Sequence, residues 1–161
     1  MSKTGLVKTF ITAAQSGDME MAANCLADNF VCRNWTPEPL DKKQFLAVQS
    51  ALLVAMPDFS YNLSDVRREG ENVVTALIQV TGTHTNALDL PFSGFLPIEP
   101  TGLAIALPQV HTAFTFEDDK LREMSVESVP GGGIIGVLQQ VGSEVPVWPR
   151  VNDRGYIKEE G

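Results

Sequence analysis

The chain has 161 residues, 43% of them hydrophobic, and a formal net charge of −8; its pI is about 4.7 and its mean hydropathy is close to zero. That length suits one domain able to bury a sizeable core. The acidic balance argues against a nucleic-acid partner and an anionic membrane surface, and no run approaches the roughly 20 apolar residues of a membrane span.

The first third reads as helical. Leu6, Val7, Phe10, Ile11 and Ala14 recur at helical spacing. Ser16-Gly17 stops this helix, and Asp18 can cap the next. Met19, Ala22 and Leu26 continue the stripe towards Phe30. A third helix starts at Asp41, which stands in capping-box spacing with Gln44, while Leu40 can staple onto Phe45. Phe45, Val48, Leu52 and Ala55 share one face, and Met56-Pro57-Asp58 ends the helix.

The rest reads as antiparallel strands. Phe59, Tyr61 and Leu63 alternate with polar residues, which implies one buried face. Glu69-Gly70-Glu71-Asn72 is a turn. Over 73–85, Val74, Ala76, Ile78 and Val80 make the apolar face, and His84 shares their parity. Residues 86–109 are less regular and hold four prolines. A strand over 110–117 alternates Val110, Thr112, Phe114 and Phe116; a turn at 117–119 leads to a strand over 120–128 and then a helix over 134–141. The domain is taken as 1–142, and 143–161 as a polar tail. Helices followed by a run of strands give an α+β fold.

Cys25 and Cys32 lack a Cys-x-x-Cys arrangement and a nearby His, so they read as reduced structural thiols with no metal site. The N-terminus lacks a signal-peptide core, and a cytoplasmic location is the expectation.

Three pieces in fixed order carry a resemblance. They are Gly82-Thr83-His84-Thr85, then Pro100-Thr101-Gly102, then the hairpin, glycine run and short helix of 114–142, ending Leu138-Gln139-Gln140-Val141-Gly142. In this the chain resembles the SnoaL-like ester and polyketide cyclases of the nuclear transport factor 2-like superfamily. The resemblance implies a cone-shaped, cystatin-like α+β fold, in which helices cover the concave face of a curved antiparallel sheet and enclose a deep pocket. It further implies a homodimer paired through the convex face, no cofactor, and a small hydrophobic, carbonyl-bearing molecule as ligand.

The family's hairpin strand places a His and an Asp where this chain has Met124 and Val126. Neither side chain can exchange a proton, so the usual acid/base pair is missing. A one-residue slip would turn Glu127 inward, as a base raised by an apolar pocket, but would bury Glu123 as well. His84 at the pocket mouth is the other relocated catalytic candidate. The expected lining is Trp35, Phe45, Leu52, Phe59, Tyr61, Phe95, Val110, Thr112, Phe114, Met124 and Val126. His111 has outward parity unless a bulge near Gln109 reverses it. The segment Phe92-Ser93-Gly94-Phe95-Leu96 is expected to close over the entrance. Gly131-Gly132-Gly133 reads as a connection, since it lacks the Lys-Ser/Thr of a phosphate loop. Two functions follow: a binding protein of cyclase-like ancestry, or an active cofactor-free cyclase or isomerase using Glu127 or His84.

Overall fold

The computed structural model describes residues 2–142, so the tail expected over 143–161 lies outside the described residues. Helix α1 (Lys3–Ser16) opens on Ser2, whose hydroxyl accepts the Gly5 N–H at 3.0 Å. It ends at Gly17, whose φ of 88° is left-handed and favours glycine. Helix α2 (Met19–Asn24) is capped by the Asp18 carboxylate, which accepts the Met21 N–H at 3.1 Å.

The helical reading towards Phe30 is corrected here: α2 stops at Asn24, and Leu26–Arg33 is strand β1. Ala22, Leu26 and Phe30 lie four apart, a spacing that fits both a helical turn and a strand's two-residue alternation. In the strand, Leu26, Phe30 and Cys32 face the core. Strand β2 (Leu40–Asp41) pairs with β1 and runs into α3 (Lys42–Ala55). The capping box forms as expected: Asp41 accepts the Gln44 N–H at 2.8 Å, and the Gln44 side chain accepts the Asp41 N–H at 2.9 Å.

The later strands are β3 (Ser64–Arg68), β4 (Val73–Ile78), β5 (Thr81–Thr83), β6 (Ala104–Ala106), β7 (Val110–Glu117) and β8 (Lys120–Val126), followed by α4 (Gly133–Gln140). The strand expected over Phe59–Leu63 is reduced to one bridge, Ser60 to Thr81. Positive φ values at Asn62 (47°) and Asp65 (51°) break regular pairing there. The strand expected over 73–85 divides after Ile78: β4 pairs with β7, and β5 pairs with β6. Side-chain parity survives the break, so Val74, Ala76, Ile78, Val80 and His84 are all buried.

The main sheet has the order β2-β1-β8-β7-β4-β3. It is antiparallel except at β1–β8, which is parallel, and this corrects the wholly antiparallel reading. Between β7 and β8 the register shifts once: Thr115 faces Glu123 while Phe116 faces Leu121. The extra residue, Arg122, lets Leu121 and Met124 both point inward although they are three apart.

The result is an α+β cone, a curved sheet with helices over its concave face. Phe10, Phe30 and Phe45 tie α1, β1 and α3 together, with ring centroids 5.6–6.5 Å apart. Each is essentially fully buried, and burying such a side chain contributes about 1.5–3 kcal/mol. Among the described residues no helix is long and apolar enough to cross a membrane.

Candidate functional site

The interior of the cone is built from the inward positions of α3, β4, β7 and β8 and from the segments that close its ends. Of the expected lining, Trp35, Phe45, Leu52, Phe59, Tyr61, Val110, Thr112, Phe114, Met124 and Val126 are all buried. Phe95 is only half-buried; it packs on Phe92 with ring centroids 6.0 Å apart. Both lie in the 86–103 loop, which is pinned by the Leu88–Ile98 bridge, and Leu96 stands 83% exposed beside them.

The interior polar groups fall into two sets. One set is satisfied within the protein. The Tyr61 hydroxyl donates to Gln49 Oε1 at 2.5 Å, and Gln49 Nε2 donates to the Ala14 carbonyl at 3.1 Å. Burial, helped by the neighbouring Cys32 thiol, holds the Tyr61 phenol well above its ordinary range, and burial does the same to the Cys32 thiol. Tyr61 therefore stays neutral, with its proton committed to Gln49. Gln49 escaped the sequence reading, although it lies on the buried helical face between Phe45 and Leu52. Its spacing was the available signal.

The other set has no protein partner. Trp35 Nε1, His84 Nε2 and Thr112 Oγ1 are buried and make no hydrogen bond. Thr112 sits mid-strand on β7, opposite Ala76 on β4 and Val126 on β8. Trp35 follows β1, after the left-handed Asn34 (φ 68°), and its carbonyl accepts the Ile134 N–H at 2.9 Å. His84 lies just past β5. Its backbone N–H donates to the Leu103 carbonyl at 2.9 Å, and its carbonyl accepts the Gly102 N–H at 2.8 Å. The two short motifs of the sequence, Gly82-Thr83-His84-Thr85 and Pro100-Thr101-Gly102, thus meet in space. Beside them Asp58 accepts both the backbone N–H and the hydroxyl of Thr83, at 2.7 and 2.8 Å, which holds its carboxyl below the usual range.

Among the described residues no Asp, Glu, Lys or Arg is buried; the buried polar side chains beyond the aromatic ones are Thr36, Gln49, His84 and Thr112. Met124 pairs with Phe114 and Val126 with Thr112, so the slip that would turn Glu127 inward does not occur. Glu127 is exposed, and its carboxylate accepts the His111 N–H at 2.9 Å. As a candidate base it is corrected on position, since it lies on the outer surface. His111 is exposed as its parity predicts, because the bulge lies at Arg122 rather than near Gln109. Glu123 is on the outer face, 3.4 Å from Arg33. Cys25 and Cys32 are buried free thiols.

The glycine run serves packing. A Cβ on Gly136 would lie 2.1 Å from the Gly131 carbonyl, and one on Gly133 would lie 3.0 Å from the Trp35 carbonyl.

The family model described as "SnoaL-like domain" matches residues 7–124. Comparison with curated protein sequences gives no match. Among solved structures, the chain is similar to a proposed SnoaL-like polyketide cyclase from Jannaschia sp. CCS1, with 19% identity, TM-score 0.64, and 87% of this chain and 91% of that one covered. It is similar to IdmH from Streptomyces antibioticus, a proposed polyketide cyclase, with 20% identity, TM-score 0.63, and coverage of 88% and 99%. A cystatin-fold protein of uncharacterised function from Novosphingobium aromaticivorans aligns with 19% identity, TM-score 0.55, and coverage of 79% and 98%. At these identities the likeness speaks for the fold alone. The family match spans most of the chain, and with the fold it places this protein in the SnoaL-like domain family.

Proposed function

We propose that this protein binds a small hydrophobic, carbonyl-bearing molecule inside the cone, and that it descends from cyclase-like ancestry without retaining the His/Asp acid–base pair. The observation that carries this reading is the combination of an apolar interior with three buried, unpartnered polar atoms and no buried carboxylate among the described residues. A buried polar group without a partner costs about 1–3 kcal/mol, and such groups persist where something else completes them. Met124 and Val126 supply apolar contact where the family's pair would stand. The reading includes a homodimer formed through the outer face of the sheet, where Val73 and Leu77 are only half-covered, and a cytoplasmic location.

A second reading, a cofactor-free cyclase or isomerase with relocated chemistry, draws support from one observation: His84 is buried with a ring nitrogen free. The experiment that separates the two combines binding and turnover on one panel of aromatic ketones and esters. Saturable binding with no product is the result the binding reading requires. Multiple turnover by the purified chain, abolished in His84→Phe, would transfer the argument to the enzyme reading.

A further inference from the structure

We infer that His84 is a fixed N–H donor, which recognises an acceptor oxygen on the bound molecule through Nε2 and does not act as a base. The inference rests on the interior binding site proposed above, and the hydrogen bonds around the ring carry it further.

Nδ1 faces Thr101 alone. The Thr101 backbone N–H donates to Nδ1 at 3.3 Å, and a peptide N–H can only donate, so Nδ1 carries a lone pair. The Thr101 hydroxyl stands 3.0 Å from the same nitrogen. With Nδ1 an acceptor, that hydroxyl donates to it while accepting the Leu103 N–H at 3.3 Å. The Thr101 N–H therefore sets the neutral ring with its proton on Nε2, and the hydroxyl is compatible with it. The ring is also held from below, since the backbone of His84 is bonded on both sides to 102–103. Nε2–H is then a buried donor with its direction set and no protein acceptor.

This fixes the chemistry of what can bind there. A ketone, an ester carbonyl or an enolate oxygen completes the N–H, whereas an amine or a hydroxyl used as a donor does not. Trp35 Nε1 is likewise a donor only, and Thr112 can take either role. At His84 the ligand must therefore present an acceptor oxygen. A neutral imidazole donating to a carbonyl also polarises it, so any residual chemistry at His84 is electrophilic assistance. The paired motifs acquire a reason: the Thr101 segment sets the tautomer that His84 presents.

The test uses the full chain and two probes of matched shape, acetylnaphthalene and isopropenylnaphthalene, which differ in C=O against C=CH2. Long-range proton–nitrogen NMR of the ligand-free protein should show His84 with its proton on Nε2. Titration with the ketone should move the Nε2–H resonance downfield, while the alkene should leave it in place. The ketone should bind roughly three- to tenfold more tightly than the alkene, as one neutral hydrogen bond allows. His84→Phe should remove that preference. A proton on Nδ1, an Nε2–H unmoved by the ketone, or an unchanged preference in His84→Phe would each overturn the donor role and leave the binding site standing. If neither probe binds the unaltered chain at any accessible concentration, the binding reading falls and the inference with it. The two NMR measurements need no variant, so a poorly folding His84→Phe does not protect the proposal.

Discussion

Thr112→Val exchanges a hydroxyl for a methyl group of nearly the same shape on a strand where both residues are at home. In most cores that change is destabilising, because the hydroxyl it removes is hydrogen-bonded. Here Thr112 is 1% exposed and its Oγ1 has no partner. Burying an unpaired hydroxyl costs about 1–3 kcal/mol by protein mutational data. Deleting it should therefore stabilise the ligand-free protein by about 1 kcal/mol or more. For a chain of this size that corresponds to a rise in Tm of roughly 2–4 °C per kcal/mol. Thr36→Val is the internal control. Thr36 is 4% exposed, but its hydroxyl donates to the Glu38 carbonyl at 2.5 Å, so the same exchange should cost about 1 kcal/mol. Both variants can be followed by urea unfolding and thermal scans without ligand. The opposite signs are the prediction, with ketone affinity lowered in Thr112→Val despite its greater stability. If Thr112→Val destabilises as much as Thr36→Val does, the Thr112 hydroxyl has a partner in the resting protein, and the argument from unpaired interior groups loses its footing.

Tyr61→Phe should destabilise by about 1–2 kcal/mol in urea melts, because it leaves the Gln49 amide oxygen buried without its donor. Glu127→Gln should leave ketone affinity and any turnover unchanged within twofold, since the carboxylate is exposed and already bonded to His111; a hundredfold loss would restore the general-base reading. The Asp58 carboxyl is lowered by its bonds to Thr83, so the stability it contributes is present above its unfolded value and is lost as pH falls through its lower folded value. Asp58→Asn should accordingly flatten the acid limb of a stability–pH curve and leave the neutral-to-alkaline region parallel to that of the unaltered chain, with a small effect because the group is largely exposed. Light scattering at micromolar concentration should give twice the chain mass, and Leu77→Arg on the outer face should halve it; a monomer in the unaltered chain would end the dimer reading.

Much of the fold was legible because its signals are local. The Asp41–Gln44 box, the Gly17 stop and the alternation from Val74 through His84 each depend on residues a few positions apart, and the structure keeps all three. Strand β1 was not legible, because a four-residue apolar spacing fits either periodicity and only pairing with β8 decides it. The division of the 73–85 strand escaped for a similar reason: it follows from a change of partner, from β7 to β6, while parity runs on undisturbed. The interior was legible as a set of inward positions and not as chemistry. Parity placed Thr112 and His84 on the inner face. Which of their polar atoms would find partners depended on contacts such as His84 with Thr101, which sequence order separates by a long loop. Phe95 is half-buried and packs against the core from its loop.

A crystal structure of the full chain grown with acetylnaphthalene tests the central claim most directly. The account predicts the naphthalene ring among Phe59, Phe114, Met124 and Val126, with its oxygen within hydrogen-bonding distance of His84 Nε2 and no carboxylate within reach. A ketone bound only in a surface groove, with the interior unchanged, would contradict it.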